Sequence, residues 1–267
     1  MTHHDPAGDP LPGAPFAPPA YGGPPAHGAP PPHGGGPGYG GQPGYGGPPA
    51  WAGYAPRPDV PGGLATTTVV LAAAVTAVQV IVWLTSFSAA DVFAAAARSG
   101  VPSIDVFTAY DTIGLLLFLP LQFAAGIVTC IWLWRSREIA VAVSPGLHHA
   151  RSRVWVWLGW IVPVVAFWFP YQVVRDVRAS VARGPLAGLG WWWAGWLVFG
   201  LATNVGAQLT ATSSLASAET FSLLPVAEGV GTAGAVLALV FWTRVVREIT
   251  AGQRAAAAAA SAPTAWS

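Results

Sequence analysis

The chain has 267 residues, 53% hydrophobic and only 9% charged, with a formal net charge of +1. A soluble domain carries roughly a quarter charged residues, so this composition excludes an ordinary soluble fold and points to an integral membrane protein. The small net charge and the lack of a clustered basic arm offer no field for nucleic acid. All 12 basic residues are arginine, which together with the excess of Ala, Gly and Pro predicts a GC-rich bacterial genome. The single Cys130 excludes an intramolecular disulfide and a thiolate metal site.

Residues 1–63 are Pro/Gly-rich, and the pentad PGYGG starts at both Pro37 and Pro43. Such a segment buries too little to offset its ordering entropy, so a disordered tail with polyproline character is expected. It reads as a tether or as a docking tail for aromatic-lined grooves of partner proteins. The first apolar run begins only near Leu64, too far in for a secretory h-region.

A membrane domain is expected over 64–250, with four spans at about 64–87, 110–134, 189–209 and 226–246. Each reaches the ~20 residues that a helix needs to cross hydrocarbon. Pro120 is expected to kink the second run, and Trp191, Trp192 and Trp193 to form an interfacial aromatic belt at one end of the third. The connections "SAADVFAAAARSGVPSIDVF" and "TATSSLASAETFSLLP" read as small, polar links. Residues 251–267 read as an Ala-rich tail that extends the last helix.

The segment 154–174, "VWVWLGWIVPVVAFWFPYQVV", is apolar enough for a fifth span. Arginine placement argues otherwise. With the N-terminus cytoplasmic and only four runs crossing, eleven of the twelve arginines fall inside and only Arg98 outside. If 154–174 also crosses, the split becomes five inside and seven outside. The positive-inside rule prefers the first arrangement. The second and fourth runs also share an exit, Trp, four residues, then Arg-Glu-Ile, at Trp132–Ile139 and Trp242–Ile249. Two hairpins leaving through matching basic exits suggest a parallel pseudo-repeat, whereas a crossing middle segment would make it inverted. Pro163 and Pro170 break helix at Val162 and Phe169, so the segment is expected to dip in and return, packed against protein rather than lipid. The fifth span is the alternative. After Pro170, Val173, Val174, Val177 and Val181 share a face, with Arg175, Asp176 and Arg178 largely away from it, as in a helix lying along the inner leaflet.

The middle segment contains Gly159, Trp160, Pro163, Trp168, Pro170, Gln172, Asp176, Ala179 and Ser180 in a GWxxPxxxxWxPxQxxxD arrangement. It resembles a family of actinobacterial multi-pass membrane proteins of unknown function, as do "GWWWAGW" at 190–196 and the Pro/Gly-rich N-terminal segment. The resemblance spans roughly 65–250. The family pattern often has Asn where Ala166 stands and a Trp after Asp176, and both are missing here. The resemblance implies the fold and no activity.

Polar groups in the spans are few: Gln79, Gln122, Asn204 and Gln208, with Asp111 and Glu228 near span ends. They read as cross-helix hydrogen bonds or, alternatively, as a polar path for a proton or small solute. Small residues at Ala227, Gly231 and Ala235, at Gly234 and Ala238, and at Ala202 and Gly206 predict close helix approach, within one chain or in a homo-oligomer. His148 and His149 sit in a basic loop and make a poor metal pair without further ligands. No catalytic, cofactor-binding or metal site is expected. The predicted fold is an all-α integral membrane bundle of four transmembrane helices plus a Pro-broken segment, re-entrant or spanning. The expected role is a scaffold or interaction protein in a bacterial cell membrane, with a small transporter or channel using 154–183 as the alternative.

Overall fold

The computed structural model describes residues 59–102, 105–182, 187–211 and 217–260. The chain divides into Met1–Tyr54 and Ala55–Ser267, and all described residues belong to the second unit. The Pro/Gly-rich segment expected to be disordered lies outside the described residues, apart from its last few positions. Among the described residues every regular element is helical: α1 (Gly62–Arg98), α2 (Ala109–Ile113), a π-helical turn (Gly114–Phe118), α3 (Leu119–Val143), α4 (Trp155–Ile161), a 3-10 turn (Val165–Phe167), α5 (Phe169–Ala179), α6 (Leu189–Ala211), a second 3-10 turn (Thr220–Leu223) and α7 (Leu224–Ala259).

Three helical stretches are long and apolar enough to cross a membrane: Gly62–Arg98, Ala109–Val143 and Thr220–Ala259. The sequence reading expects four. The remaining candidate, α6, has 23 residues, about 34 Å of helix. Its aliphatic content is diluted by Trp191, Trp192, Trp193, Trp196 and Asn204, so it meets the length criterion but not that of hydropathy.

The long helices run up and down. α1 starts beside Arg254 near the end of α7 and finishes where Phe93 packs on Phe221 at 5.6 Å, at the start of α7. We call the end where α3 and α7 finish the arginine end, and the opposite one the Glu228 end. α1 overruns its expected limit. Residues 88–98, read from sequence as part of a polar link, continue the helix, because the Ala-rich stretch favours helix and buries Ala89, Ala90 and Phe93 against Phe221 and Leu224. Pro120 is taken up by the π-helical turn just before it, which loosens the carbonyl ladder where the proline ring would otherwise collide.

The seam between α6 and α7 is the tightest in the bundle. A Cβ on Gly195 would lie 2.7 Å from the Ala238 amide nitrogen and 2.8 Å from the Gly234 carbonyl. A Cβ on Gly234 would lie 2.7 Å from the Phe199 nitrogen and 2.8 Å from the Gly195 carbonyl. The two glycines therefore let the backbones touch, as small residues do in membrane helix pairs. Gly195 lies outside the small-residue stripe picked out in sequence; its partners Gly234 and Ala238 lie on it. α1 lies along α7, whereas α3 leans on α1 and touches α7 sparingly.

Candidate functional site

The segment containing Gly159, Trp160, Pro163, Trp168, Pro170, Gln172 and Asp176 folds as a helical hairpin at the arginine end. Its first arm is α4, which stops at Ile161 because Pro163 follows. Its second arm is α5, where Pro170 fits the first turn and loses no hydrogen bond. The chain reverses between them. Trp155 meets Phe169 edge to face at 4.6 Å, and Gly159 admits Phe169 and Pro170 so closely that a Cβ there would lie 3.3 Å from the Phe169 Cβ. Further out, Arg151 Nε donates to Gln172 Oε1 at 2.7 Å, and the Ala150 amide donates to Asp176 Oδ2 at 2.7 Å. All these pairs centre near Pro163, so the two feet of the hairpin stand side by side.

The tip is strained and yet satisfied. Val164 has φ 67°, a left-handed conformation that costs a β-branched residue of order 1–3 kcal/mol. The Val162 carbonyl accepts from the Ala166 amide at 3.1 Å, and the Phe167 carbonyl accepts from Trp193 Nε1 at 2.9 Å. Trp193 and Trp192 are therefore bundle residues. The expected aromatic belt reduces to Trp191, exposed at 62%, because the indoles beside it face the hairpin and α7. Trp160 packs edge to face on Trp196 at 5.8 Å and on Trp193 at 6.4 Å. Pro163 and Trp168 stay exposed on the tip.

The feet join a collar of ionic contacts. The two Arg-Glu-Ile exits come together here: Trp132 meets Trp242 edge to face at 5.7 Å, and Ile139 and Ile249 are both buried. Each exit glutamate takes an arginine from beside the hairpin, Glu138 from Arg153 and Glu248 from Arg178. Arg137 donates to the Arg151 carbonyl, and Gln253 Nε2 donates to the Ser136 carbonyl at 2.9 Å. α5 is thus not the surface helix expected from its valine face. Asp176 and Arg178, read as facing away from that face, are 5% and 3% exposed, because Ala150, Arg175 and Glu248 partner them. The loop histidines differ from each other. His148 is exposed, but both ring nitrogens of His149 are buried without a hydrogen-bond partner among the described residues, as is Arg137 Nη1. Burial and the nearby Arg137 charge push His149 below the ordinary histidine value, against a smaller opposing pull from Asp176. Among the described residues no three His, Cys, Asp or Glu side chains group as metal ligands.

The family model of a domain of unknown function (DUF4328) matches residues 103–251. The chain belongs to that family. The DUF4328 match takes in α2 and α3, the hairpin, α6 and most of α7, and leaves α1 outside, a narrower reach than the 65–250 of the sequence resemblance. A search of curated proteins found no match, and neither did a search of solved structures.

A second polar cluster closes the other end of the DUF4328 region. Glu228, 2% exposed, accepts from Gln79 Nε2 of α1 at 2.8 Å and from the Tyr110 hydroxyl at 2.7 Å. Gly206 leaves room for this carboxylate, which a methyl group there would displace. Of the polar residues picked out in sequence, Gln79 and Glu228 meet. Asp111 instead caps α2 through Thr108, Gln122 faces an apolar cavity, and Asn204 is exposed. Tyr110 is not among the polar residues picked out in sequence, because its partner Glu228 lies 118 positions away.

Proposed function

We propose that this DUF4328 protein is a scaffold or interaction protein of a bacterial cell membrane, with its N-terminus and arginine end in the cytoplasm. In this reading α1, α3, α6 and α7 cross, and the hairpin dips in from the cytoplasmic side without crossing. The Ala150–Asp176 hydrogen bond carries the reading: two chain positions held at 2.7 Å cannot lie on opposite faces of a bilayer about 30 Å thick. The arms are also too short to span it, at 7 and 11 residues.

A scaffold is favoured over a conduit by the distribution of polar groups. The bonds that polar groups make at each end stay within that end, as Asp176 with Arg175 and Glu228 with Gln79, and an aromatic layer of Trp132, Trp192, Trp242, Phe118 and Phe199 lies between. The docking element is the Pro/Gly-rich segment, and its partners are proteins with aromatic-lined grooves. The buried Glu228 favours a second reading, a small transporter. Deleting residues 1–58 separates the two. A scaffold loses the proteins that co-purify with it while its helical content stays unchanged; a transporter keeps its flux, and retention of every partner would contradict the scaffold.

A further inference from the structure

α3 stands off from α6 and α7, and the hairpin fills only part of the gap. Beside the first hairpin arm lies a cavity of about 400 Å³, lined from α1, α3, α6 and α7 as well, within the ~300–1,000 Å³ range of small-molecule sites. Five indoles line it, those of Trp157, Trp160, Trp192, Trp196 and Trp242. Its far end is closed by Phe118 against Phe199 at 6.1 Å. Its lipid-facing rim carries Phe123 and Ile161, 71% and 72% exposed. Gly126 lies in its wall, and a Cβ there meets nothing within 4 Å. Such an apolar space, open sideways at the depth of apolar helices, excludes water and takes hydrocarbon.

The charge beside the cavity narrows the occupant. Among the described residues the arginine end holds Arg135, Arg137, Arg151, Arg153, Arg175 and Arg178, and three more on α7, against Asp59, Glu138, Asp176 and Glu248. Arg153, which also pairs with Glu138, lies over the Trp134 ring at 3.7 Å and keeps its side chain 40% exposed, so a phosphate can reach it beside that carboxylate, above the hairpin arm that floors the cavity. Arg137 is seven residues from Cys130 of the cavity wall, about 10 Å along the helix. Phe123 of the rim is fourteen residues from Arg137, about 21 Å along the helix, so a chain whose phosphate lies at the guanidinium level runs along the cavity and reaches the Phe123 rim with its far end.

We propose that this cavity holds one acyl chain of an anionic phospholipid from the leaflet at the arginine end, with its phosphate at Arg153. The chain enters between Phe123 of α3 and Ile161 of the hairpin and lies against the indoles. The proposal does not depend on the scaffold reading.

Native mass spectrometry of the full chain, released from membranes of equal phosphatidylglycerol and phosphatidylcholine, tests it. The expected result is one phosphatidylglycerol retained per chain, with the lipid-bound fraction about tenfold lower in Gly126→Phe. Gly126→Leu, a smaller filling of the same space, lowers it less. Both variants keep the wild-type melting temperature or exceed it, since they fill space and replace a helical glycine. Loss of folding in Gly126→Phe would overturn the open space at Gly126 on which the proposal rests. Retention of detergent alone, or the same lipid occupancy in both variants as in the wild type, would overturn the proposal. Equal retention of both lipids would overturn its anionic part.

Discussion

The two sides of the bundle are packed by opposite means. Along the α6–α7 seam, Gly195 and Gly234 bring backbone against backbone, and no side chain fits between them; nearer the arginine end the same two helices meet through Trp192 stacked on Trp242 at 4.9 Å. Between α3 and the α6–α7 pair, contact is made by rings, Phe118 on Phe199 and Trp132 on Trp242, and the hairpin adds Trp160 on Trp196. Aromatic pairs add about 0.5–1.5 kcal/mol each but hold helices further apart. The difference teaches that small residues close a membrane bundle, whereas indoles leave room in it. The hairpin and the cavity occupy that room, so the side with the looser contact is the one that carries the candidate site.

The comparison is broken most severely at the seam. Gly195→Leu sets a side chain against the backbone of α7, which cannot move aside as a side chain would. A loss of about 3 kcal/mol is expected, read as a large drop in melting temperature and in yield of folded protein. The next effect is at the hairpin feet. Asp176→Ala removes the buried carboxylate that accepts from the Ala150 amide and pairs with Arg175, a cost of about 1–3 kcal/mol. Hydrogen exchange over 145–155 should accelerate while α6 and α7 stay protected; unchanged exchange would mean that the Asp176 contacts do not hold the hairpin feet. At the Glu228 end, Gln79→Leu removes one of two donors to Glu228 and is expected to cost about 0.6–2 kcal/mol in thermal stability.

A smaller effect depends on pH. His149 is held below its ordinary value of about 6.5, so the folded hairpin favours the neutral ring. That stability is present above about 6.5 and is lost as pH falls toward the lower folded value. Protection factors near 149, corrected for the pH dependence of intrinsic exchange, should therefore fall on acidification, and His149→Gln should abolish the fall. The smallest change sharpens the picture instead of breaking it. Val164→Gly relieves the left-handed valine at the tip and should raise stability by up to about 1 kcal/mol; a lower melting temperature would contradict the strain.

Much of this was legible in the sequence, because it rests on local rules. Runs of apolar residues mark the long helices, Pro163 and Pro170 mark the break and the second arm, and the repeated Arg-Glu-Ile marks the two exits that meet. The small-residue stripe on α7 was visible too. Its opposite number Gly195 was hidden among tryptophans, whose bulk suggested an interfacial belt. The burial of Asp176 and Arg178 was not legible, since their partners lie far away in sequence, at Ala150 and Glu248. The pairing of Gln79 with Glu228 across 149 positions was foreseen only as a type of contact. The cavity has no sequence signature at all: it arises where α3 stands away from α6 and α7.

The most direct measurement concerns the two feet of the hairpin. Single cysteines at Gly146 and at Ala179, both exposed, are placed in a Cys130→Ser background and probed with a membrane-impermeant maleimide. The account predicts that neither site labels on intact cells and that both label after permeabilisation, because the chain returns to the face it left. Labelling of Ala179→Cys alone on intact cells would mean that 154–174 crosses the bilayer, and the re-entrant hairpin would be wrong.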